Sequence, residues 1–530
     1  MPSSVQHVTP RGRPFPLPFS PMRTNKATAA QRKERRCKSG DMAALLLGPF
    51  GLLRGQGTQE SQQGDAGQRP PNTACVELEN FANAQYTAAM QIGSPAQTLK
   101  MIPDSGSSDL VVPSADCGAE DGCIGSQHSK FDAQRSSTSQ GPFGLVDVAY
   151  GQGETECEII RDVARLDSLQ VDQQDMLLVT TNRLAGYEYA MYDGILGLGT
   201  DKEARKGTPS FLTALPSADK FTICIGSRNK ENGILMFGNA TIDALDWSPT
   251  LSFPARAIYT GDIPFWGVYM SSIKMSDGFS VDCQPSCAAV IDSGTSLMSL
   301  PSVMVYSLLD QIGNDYNADC SNVAAKLPNI VLTLEGQKFY LRPQDYMVVV
   351  DSDDLTDTGL INPISYDKLS TSTQRIGPFG VAHLRPRASQ FSFTNLTSRL
   401  KCTPAFVELD ELTNRGQMVI LGIPFLRSYA TTFDRGDGKS IPSSISFARV
   451  DDTPGVCSKC PSATTGLYRT PTSPPHDHVA GDGDDNPVQI NMSALRFPWW
   501  SRFARGSNHS VPSQLIINRG QENDVEFNDL

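Results

Sequence analysis

Short apolar runs alternate with turn residues through the middle of the chain. Segments 86–92, 98–102, 144–150, 221–225, 234–237, 330–334 and 417–421 are rich in β-branched and aromatic residues, and Gly, Pro, Asn and Asp separate them. Runs of this length bounded by turn formers predict many short strands. A helical period is best developed at 302–312. From about residue 75 to 450 the pattern therefore predicts an all-β body. Residues 54–74 are Gln- and Gly-rich and read as a linker. Residues 451–530 turn polar and Pro/Gly-rich, and are expected to form a tail without regular structure, stapled at its start by Cys457 and Cys460.

One apolar run stands apart, the twelve residues 42–53. A membrane-spanning helix needs about 20. A basic flank followed by a short apolar run fits a signal peptide. The flank is long for that role, so Met42 is a candidate start. No other stretch reaches the length of a span, so no transmembrane segment is expected.

Composition sharpens this picture. The 530 residues carry a net charge of −12. Residues 1–40 hold nine Lys/Arg and one Glu, or +8, leaving −20 for residues 41–530 (−12 minus +8). An acidic body excludes nucleic acid as the main partner, because phosphate binding needs a basic face. Twelve cysteines, several closely paired, point to an oxidising compartment and the secretory pathway. Sequons begin at Asn239, Asn395, Asn491 and Asn508. The pair Cys457/Cys460 has no second pair at zinc-like spacing, so neither metal nor cofactor is expected.

The β region repeats itself. Ile102-Pro103-Asp104-Ser105-Gly106-Ser107-Ser108 recurs as Val290-Ile291-Asp292-Ser293-Gly294-Thr295-Ser296. Each copy is followed later by an apolar stretch ending in glycine, Ile195-Leu196-Gly197 and Ile420-Leu421-Gly422. A lone Asp-Ser-Gly is an ordinary turn. Two copies with matched partners suggest two related lobes. If the lobes face each other, Asp104 and Asp292 meet, share a proton and polarise one water. Gly106 and Gly294 allow close backbone approach. The hydroxyls of Ser105, Ser107, Ser293 and Thr295 can brace the carboxylates or the opposing loop. Such a pair suits general acid–base hydrolysis of an amide at acidic pH.

With these motifs the chain resembles the pepsin-like aspartic proteases from about Glu77 to Val450. Leu78-Glu79-Asn80-Phe81, Ile92-Gly93-Ser94-Pro95, Tyr150-Gly151-Gln152-Gly153, Trp266 and Phe433-Asp434-Arg435 all fall where that family has similar residues. The resemblance implies an all-β, bilobal fold, with lobes at 75–245 and 246–450 after a leader at 1–74. It implies an aspartic endopeptidase with Asp104 and Asp292 as the catalytic dyad. An extended protein or peptide substrate would bind to a monomer between the lobes. Tyr150, Gly151 and Gly153 would belong to a flap that closes over the substrate. Ile102, Tyr192 and Ile195 fall where the family lines an apolar subsite, and core packing alone is as good a role for Ile195. The resemblance also implies disulfides Cys117–Cys123, Cys283–Cys287 and Cys320–Cys402, and a partner for Cys224 in Cys457 or Cys460. Cys37, Cys75 and Cys157 stay unassigned. Residues 351–400 read as an insertion in the second lobe.

Three departures bear on activity. Pro103 stands before the first aspartate, where the family usually has a residue with a free N–H. Val111 replaces a common tryptophan that supports the flap. Only 54–74, with Arg54 and Arg69, separates the apolar run from the mature-like start, which is short for a cleft-filling prosegment. The first two favour the alternative of a catalytically impaired binding or inhibitor protein on the same fold.

Overall fold

The chain divides into two units, Met1–Asp65 and Ala66–Leu530. A computed structural model describes, within the second, residues 73–125, 127–150, 153–184, 187–200, 209–215, 219–238, 250–260, 263–351, 400–436, 443–450, 455–460, 488–490 and 514–518. The apolar run 42–53, the four sequons, Gly151 and the insertion apart from its two end residues lie outside them.

The first half of the body contributes β1 (Ala74–Phe81), β2 (Gln85–Ile92), β3 (Gln97–Asp104), β4 (Leu110–Pro113) and β5 (Gln140–Tyr150). It continues with β6 (Gly153–Leu166), β7 (Leu169–Asn182), β8 (Gly194–Gly197), β9 (Lys220–Ile225) and β10 (Gly233–Phe237). The second half adds β11 (Leu251–Pro254), β12 (Ile258–Thr260), β13 (Ile263–Phe265), β14 (Gly267–Met275), β15 (Ser280–Ile291) and β16 (Met298–Leu300). After helix α1 (Ser302–Ile312) come β17 (Ile330–Leu334), β18 (Gln337–Leu341), the single turn α2 (Pro343–Tyr346) and β19 (Met347–Asp351). Then follow β20 (Leu400–Pro404), β21 (Phe406–Glu408), β22 (Leu412–Thr413), β23 (Gly416–Leu421), α3 (Ile423–Ser428), β24 (Tyr429–Asp434) and β25 (Ser444–Arg449). The segment expected to lack regular structure supplies β26 (Val488–Ile490) and β27 (Gln514–Asn518). The fold is all-β and bilobal, as the alternation of short runs and turns predicts.

Thirteen strands form one sheet in the order β11-β25-β24-β9-β10-β1-β2-β3-β8-β4-β7-β6-β5. A second sheet runs β18-β17-β14-β15-β23-β16-β21, with β22 beside β23 and β27 beside β15. A third runs β20-β19-β26. The duplication seen in the sequence becomes a duplication of topology. In the first sheet β3 pairs parallel with β8, β8 antiparallel with β4, and β4 parallel with β7. In the second, β15 pairs parallel with β23, β23 antiparallel with β16, and β16 parallel with β21. Each aspartate turn thus leaves the end of one strand and re-enters beside the strand that carries the apolar-glycine repeat.

Aromatic packing joins the sheets. Trp266, just before β14, lies edge-on to Phe433 of β24 at 5.5 Å, and Phe433 stacks on Phe221 of β9 at 4.7 Å. All three are almost fully buried, and each such burial contributes about 2–3 kcal/mol. Five disulfides pair Cys75 with Cys460, Cys117 with Cys123, Cys224 with Cys457, Cys283 with Cys287 and Cys320 with Cys402. Cys157 is buried and keeps its thiol, 3.5 Å from the Thr155 hydroxyl.

An ionic knot also bridges the sheets. Arg342 grips Asp345 of α2 through its backbone N–H at 2.8 Å and its guanidinium at 3.1 Å. Arg449 at the end of β25 approaches the same carboxylate at 3.9 Å, and donates to the Tyr340 carbonyl of β18 at 2.7 Å. Burial pushes the Asp345 carboxyl up, but the two guanidinium charges and the Arg342 hydrogen bonds outweigh it and hold it below the usual carboxylate range. A carboxyl lowered in this way supports the fold at pH above its ordinary value, and that support is lost as the pH falls through the lowered one. Asp345→Asn should therefore cost about 3 kcal/mol near neutral pH. In denaturant titrations the gap to the wild type should narrow as the pH drops below the ordinary 3.8; a gap of constant size would refute the assignment.

Candidate active site

Asp104 ends β3 and Asp292 follows β15, both 2% exposed. Their surroundings match residue for residue. The Gly106 N–H donates to Asp104 Oδ1 at 3.0 Å, and the Ser107 hydroxyl to Oδ2 at 2.9 Å. The Gly294 N–H donates to Asp292 Oδ1 at 2.8 Å, and the Thr295 hydroxyl to Oδ2 at 2.5 Å. Each carboxylate therefore has both oxygens fixed by its own turn.

The turns also hold each other. The Ser105 N–H donates to Ser293 Oγ at 3.0 Å, and the Ser293 N–H to Ser105 Oγ at 3.0 Å. The Ser105 hydroxyl continues to the Ile291 carbonyl at 2.9 Å, and the Ser293 hydroxyl to the Pro103 carbonyl at 2.8 Å. Six buried polar groups are thereby satisfied across the interface of the two sheets. The glycines let the turns approach. A Cβ on Gly106 would lie 2.7 Å from the Asp292 carboxylate, and a Cβ on Gly294 would strike the Asp104 carboxylate. Each carboxylate thus lies against the opposite turn.

Behind the turns the apolar-glycine repeats do matching work. The Leu198 N–H donates to the Asp104 carbonyl at 2.8 Å, and the Asp292 N–H to the Leu421 carbonyl at 3.2 Å. A Cβ on Gly197 would strike the backbone at Ser108 and Asp109, and one on Gly422 the carbonyls of Thr295 and Leu297. A third link reaches between the sheets. Trp266 Nε1 donates to the Leu198 carbonyl at 3.0 Å, and the Ile291 N–H to the Trp266 carbonyl at 3.0 Å. One residue therefore connects the backbone beside Asp104 to the backbone beside Asp292. Sequence spacing marked Trp266 but not this role.

Pro103 breaks the symmetry. It occupies the position of Ile291, and lacks the N–H that Ile291 gives to Trp266. The β2–β3 ladder accordingly stops at Ala88↔Met101, three residues before Asp104, whereas β14–β15 reaches Gly267↔Val290, two before Asp292. The Pro103 carbonyl still takes the Ser293 hydroxyl. Val111 is buried in one apolar cluster with Val146 and Val148 of β5, so a small side chain fills the space beside that strand.

Tyr150 and Gly153 face each other at the tip of the β5–β6 hairpin. Ile102 and Tyr192 come together in one buried cluster with Tyr187 and Ala190. Ile195 pairs with Ile102 in register and is buried in one apolar cluster with Val111, Leu177 and Val290. Asp193 was read only as part of a repeat. It accepts the backbone N–H groups of Lys100 and Ser129, both at 2.7 Å, and so fixes the approach of β3. Among the described residues no three His, Cys, Asp or Glu side chains are grouped to hold a metal. A depression of about 700 Å³ beside Lys274, Asp282 and Lys338 shares no residue with either turn.

Residues 85–368 match the model of the eukaryotic aspartyl protease family. The chain belongs to this family. Pepsin A of Rhinolophus ferrumequinum is 31% identical to the protease over 377 residues, 69% of this chain and 82% of that protein. Pepsin A of Sus scrofa is 28% identical over 373 residues, 68% of this chain and 82% of that protein. Pepsin A of Bos taurus is 27% identical over 373 residues, with 68% and 84% covered. The aspartyl protease is an aspartic-type endopeptidase, and its substrates are peptides. Because the opposing carboxylate lies where a side chain would grow, Gly106→Ala or Gly294→Ala should each cost about 1–3 kcal/mol of stability, read as a lowered midpoint in thermal unfolding. Midpoints unchanged in both variants would show that the turns are further apart than described.

Proposed function

We propose that Asp104 and Asp292 are the catalytic dyad and that they cleave internal peptide bonds of extended protein segments at acidic pH. The observation that carries this reading is the reciprocal placement of each carboxylate against the other turn's glycine. General acid–base attack by water needs one member of the pair ionised and the other protonated. The ionised member takes a proton from a water held between them. The protonated member donates to the scissile carbonyl oxygen, and the water oxygen bonds to the carbonyl carbon. The resulting gem-diol collapses as a proton passes to the departing amine. No covalent bond to the enzyme forms.

Within this reading the β5–β6 hairpin, with Tyr150, Gly151 and Gly153, closes over the substrate and excludes water. Ile102 and Tyr192 face one apolar subsite. Ser105, Gly106, Ser107, Ser293, Gly294 and Thr295 orient the dyad. Five disulfides support maturation in the secretory pathway.

Asp104→Asn and Asp292→Asn should each lower cleavage of a denatured protein by roughly 10³–10⁴-fold, with unfolding midpoints near the wild type. Wild-type activity should fall as the pH rises to neutral, and a statine-containing peptide should block it. A wild type no more active than these variants at any pH would mean an impaired binding protein instead.

A further inference from the structure

A buried polar network backs the apolar cluster of Ile102 and Tyr192. Asp193 is its hub. The Asp193 N–H donates to the Lys100 carbonyl at 2.7 Å, and its carboxylate accepts the N–H groups of Lys100 and Ser129. Lys100 lies on β3, four residues before Asp104. The Tyr187 hydroxyl donates to the Asp193 carbonyl at 3.1 Å. Burial pushes that hydroxyl above the ordinary phenol range, so it stays a donor. The Tyr187 ring stacks on the His128 imidazole at 4.2 Å and lies edge-on to Tyr192 at 6.0 Å. His128 thus touches the wall of the cluster on one side and Asp193 on the other.

The imidazole faces an oxygen at each nitrogen. Nε2 lies 2.9 Å from the Tyr187 carbonyl. Nδ1 lies 3.8 Å from Asp193 Oδ1, with the two side chains 1% and 3% exposed, and it is buried without a hydrogen-bond partner. The Gln127 amide nitrogen, 3.3 Å from Nε2, is also within reach of the Ala190 carbonyl at 3.5 Å. The titratable groups facing the ring are Asp193, from the turn before β8, and Tyr187. A neutral imidazole carries one N–H and one lone pair, so either tautomer turns a lone pair on an oxygen. The imidazolium has a donor for both.

We infer that His128 is a positioning residue whose imidazolium form holds the Ile102–Tyr192 subsite in shape for an apolar side chain of the peptide. In acid both ring nitrogens donate, and Asp193, Tyr187 and β3 are held together. As the pH rises through the histidine range the ring gives up one proton, and a lone pair then meets an oxygen in a buried site. The ring and the stacked Tyr187 part from Asp193, and the wall behind Tyr192 loosens. Proton and peptide are therefore linked ligands, and each favours the binding of the other. The inference rests on Ile102 and Tyr192 forming the apolar subsite of the proposed function.

The test compares the wild type with His128→Gln on two peptides, one with an aromatic residue for that subsite and one with alanine in its place. The ratio of their kcat/KM values cancels the pH dependence of the dyad. In the wild type this ratio should fall about fivefold between about pH 4 and 7, with the change in KM. In His128→Gln it should be low and the same at every pH. A ratio in His128→Gln that follows the wild type would overturn the inference. A second measurement needs no variant: in nitrogen NMR of the wild type, the buried imidazole should keep its second proton to a higher pH with an aromatic statine-containing peptide bound than without. A ring indifferent to the peptide, or neutral at pH 4, would also overturn it. A wild type that does not prefer the aromatic peptide at pH 4 would sink the subsite reading, and the inference with it.

Discussion

The structure depends on the exchange of backbone N–H groups and hydroxyls between Ser105 and Ser293. Each serine accepts the other's N–H at 3.0 Å and passes its own hydroxyl to a carbonyl beside the opposite aspartate. The exchange is buried, so breaking it would strand donors and acceptors without water, at a cost of about 1–3 kcal/mol each. It also fixes a distance. Two rigid turns locked at one depth bring each carboxylate against the other's glycine. Geometry that a hydrolytic dyad needs is thereby built into the backbone before any substrate arrives.

Everything around this exchange repeats it on a larger scale. The two sheets reach the turns by the same sequence of parallel, antiparallel and parallel pairings. Trp266 then joins the halves by donating to Leu198 and accepting from Ile291. Pro103 is the main breach in this symmetry, and its cost is confined. It removes one donor at a point where the second half makes a bond, but leaves the carbonyl that Ser293 uses. The first turn thus keeps its part of the exchange even though its strand ladder ends early.

Most of the site was legible because the duplication is written in consecutive residues. Asp104-Ser105-Gly106 and Asp292-Ser293-Gly294 share one local grammar, and so do Leu196-Gly197 and Leu421-Gly422. The helix at 302–312 was legible from its period. Other features have no local signature. The Cys75–Cys460 bond closes 385 residues, and no spacing rule singles it out. Strand β26 is three residues long, and its identity comes from the β19 edge it covers rather than from its own pattern. The Trp266 bond crosses 68 residues from a side chain to a backbone carbonyl, which apolar periodicity cannot reveal.

The central claim is that one water-sized site is shared by Asp104 and Asp292 across the serine exchange. Its most direct test is a crystal structure of the enzyme bound to a statine-containing peptide, whose hydroxyl stands in for the attacking water. The account predicts that hydroxyl within hydrogen-bonding distance of both carboxylates, with the Ser105–Ser293 bonds intact. A hydroxyl bound by one carboxylate alone, or a peptide seated away from both turns, would contradict it.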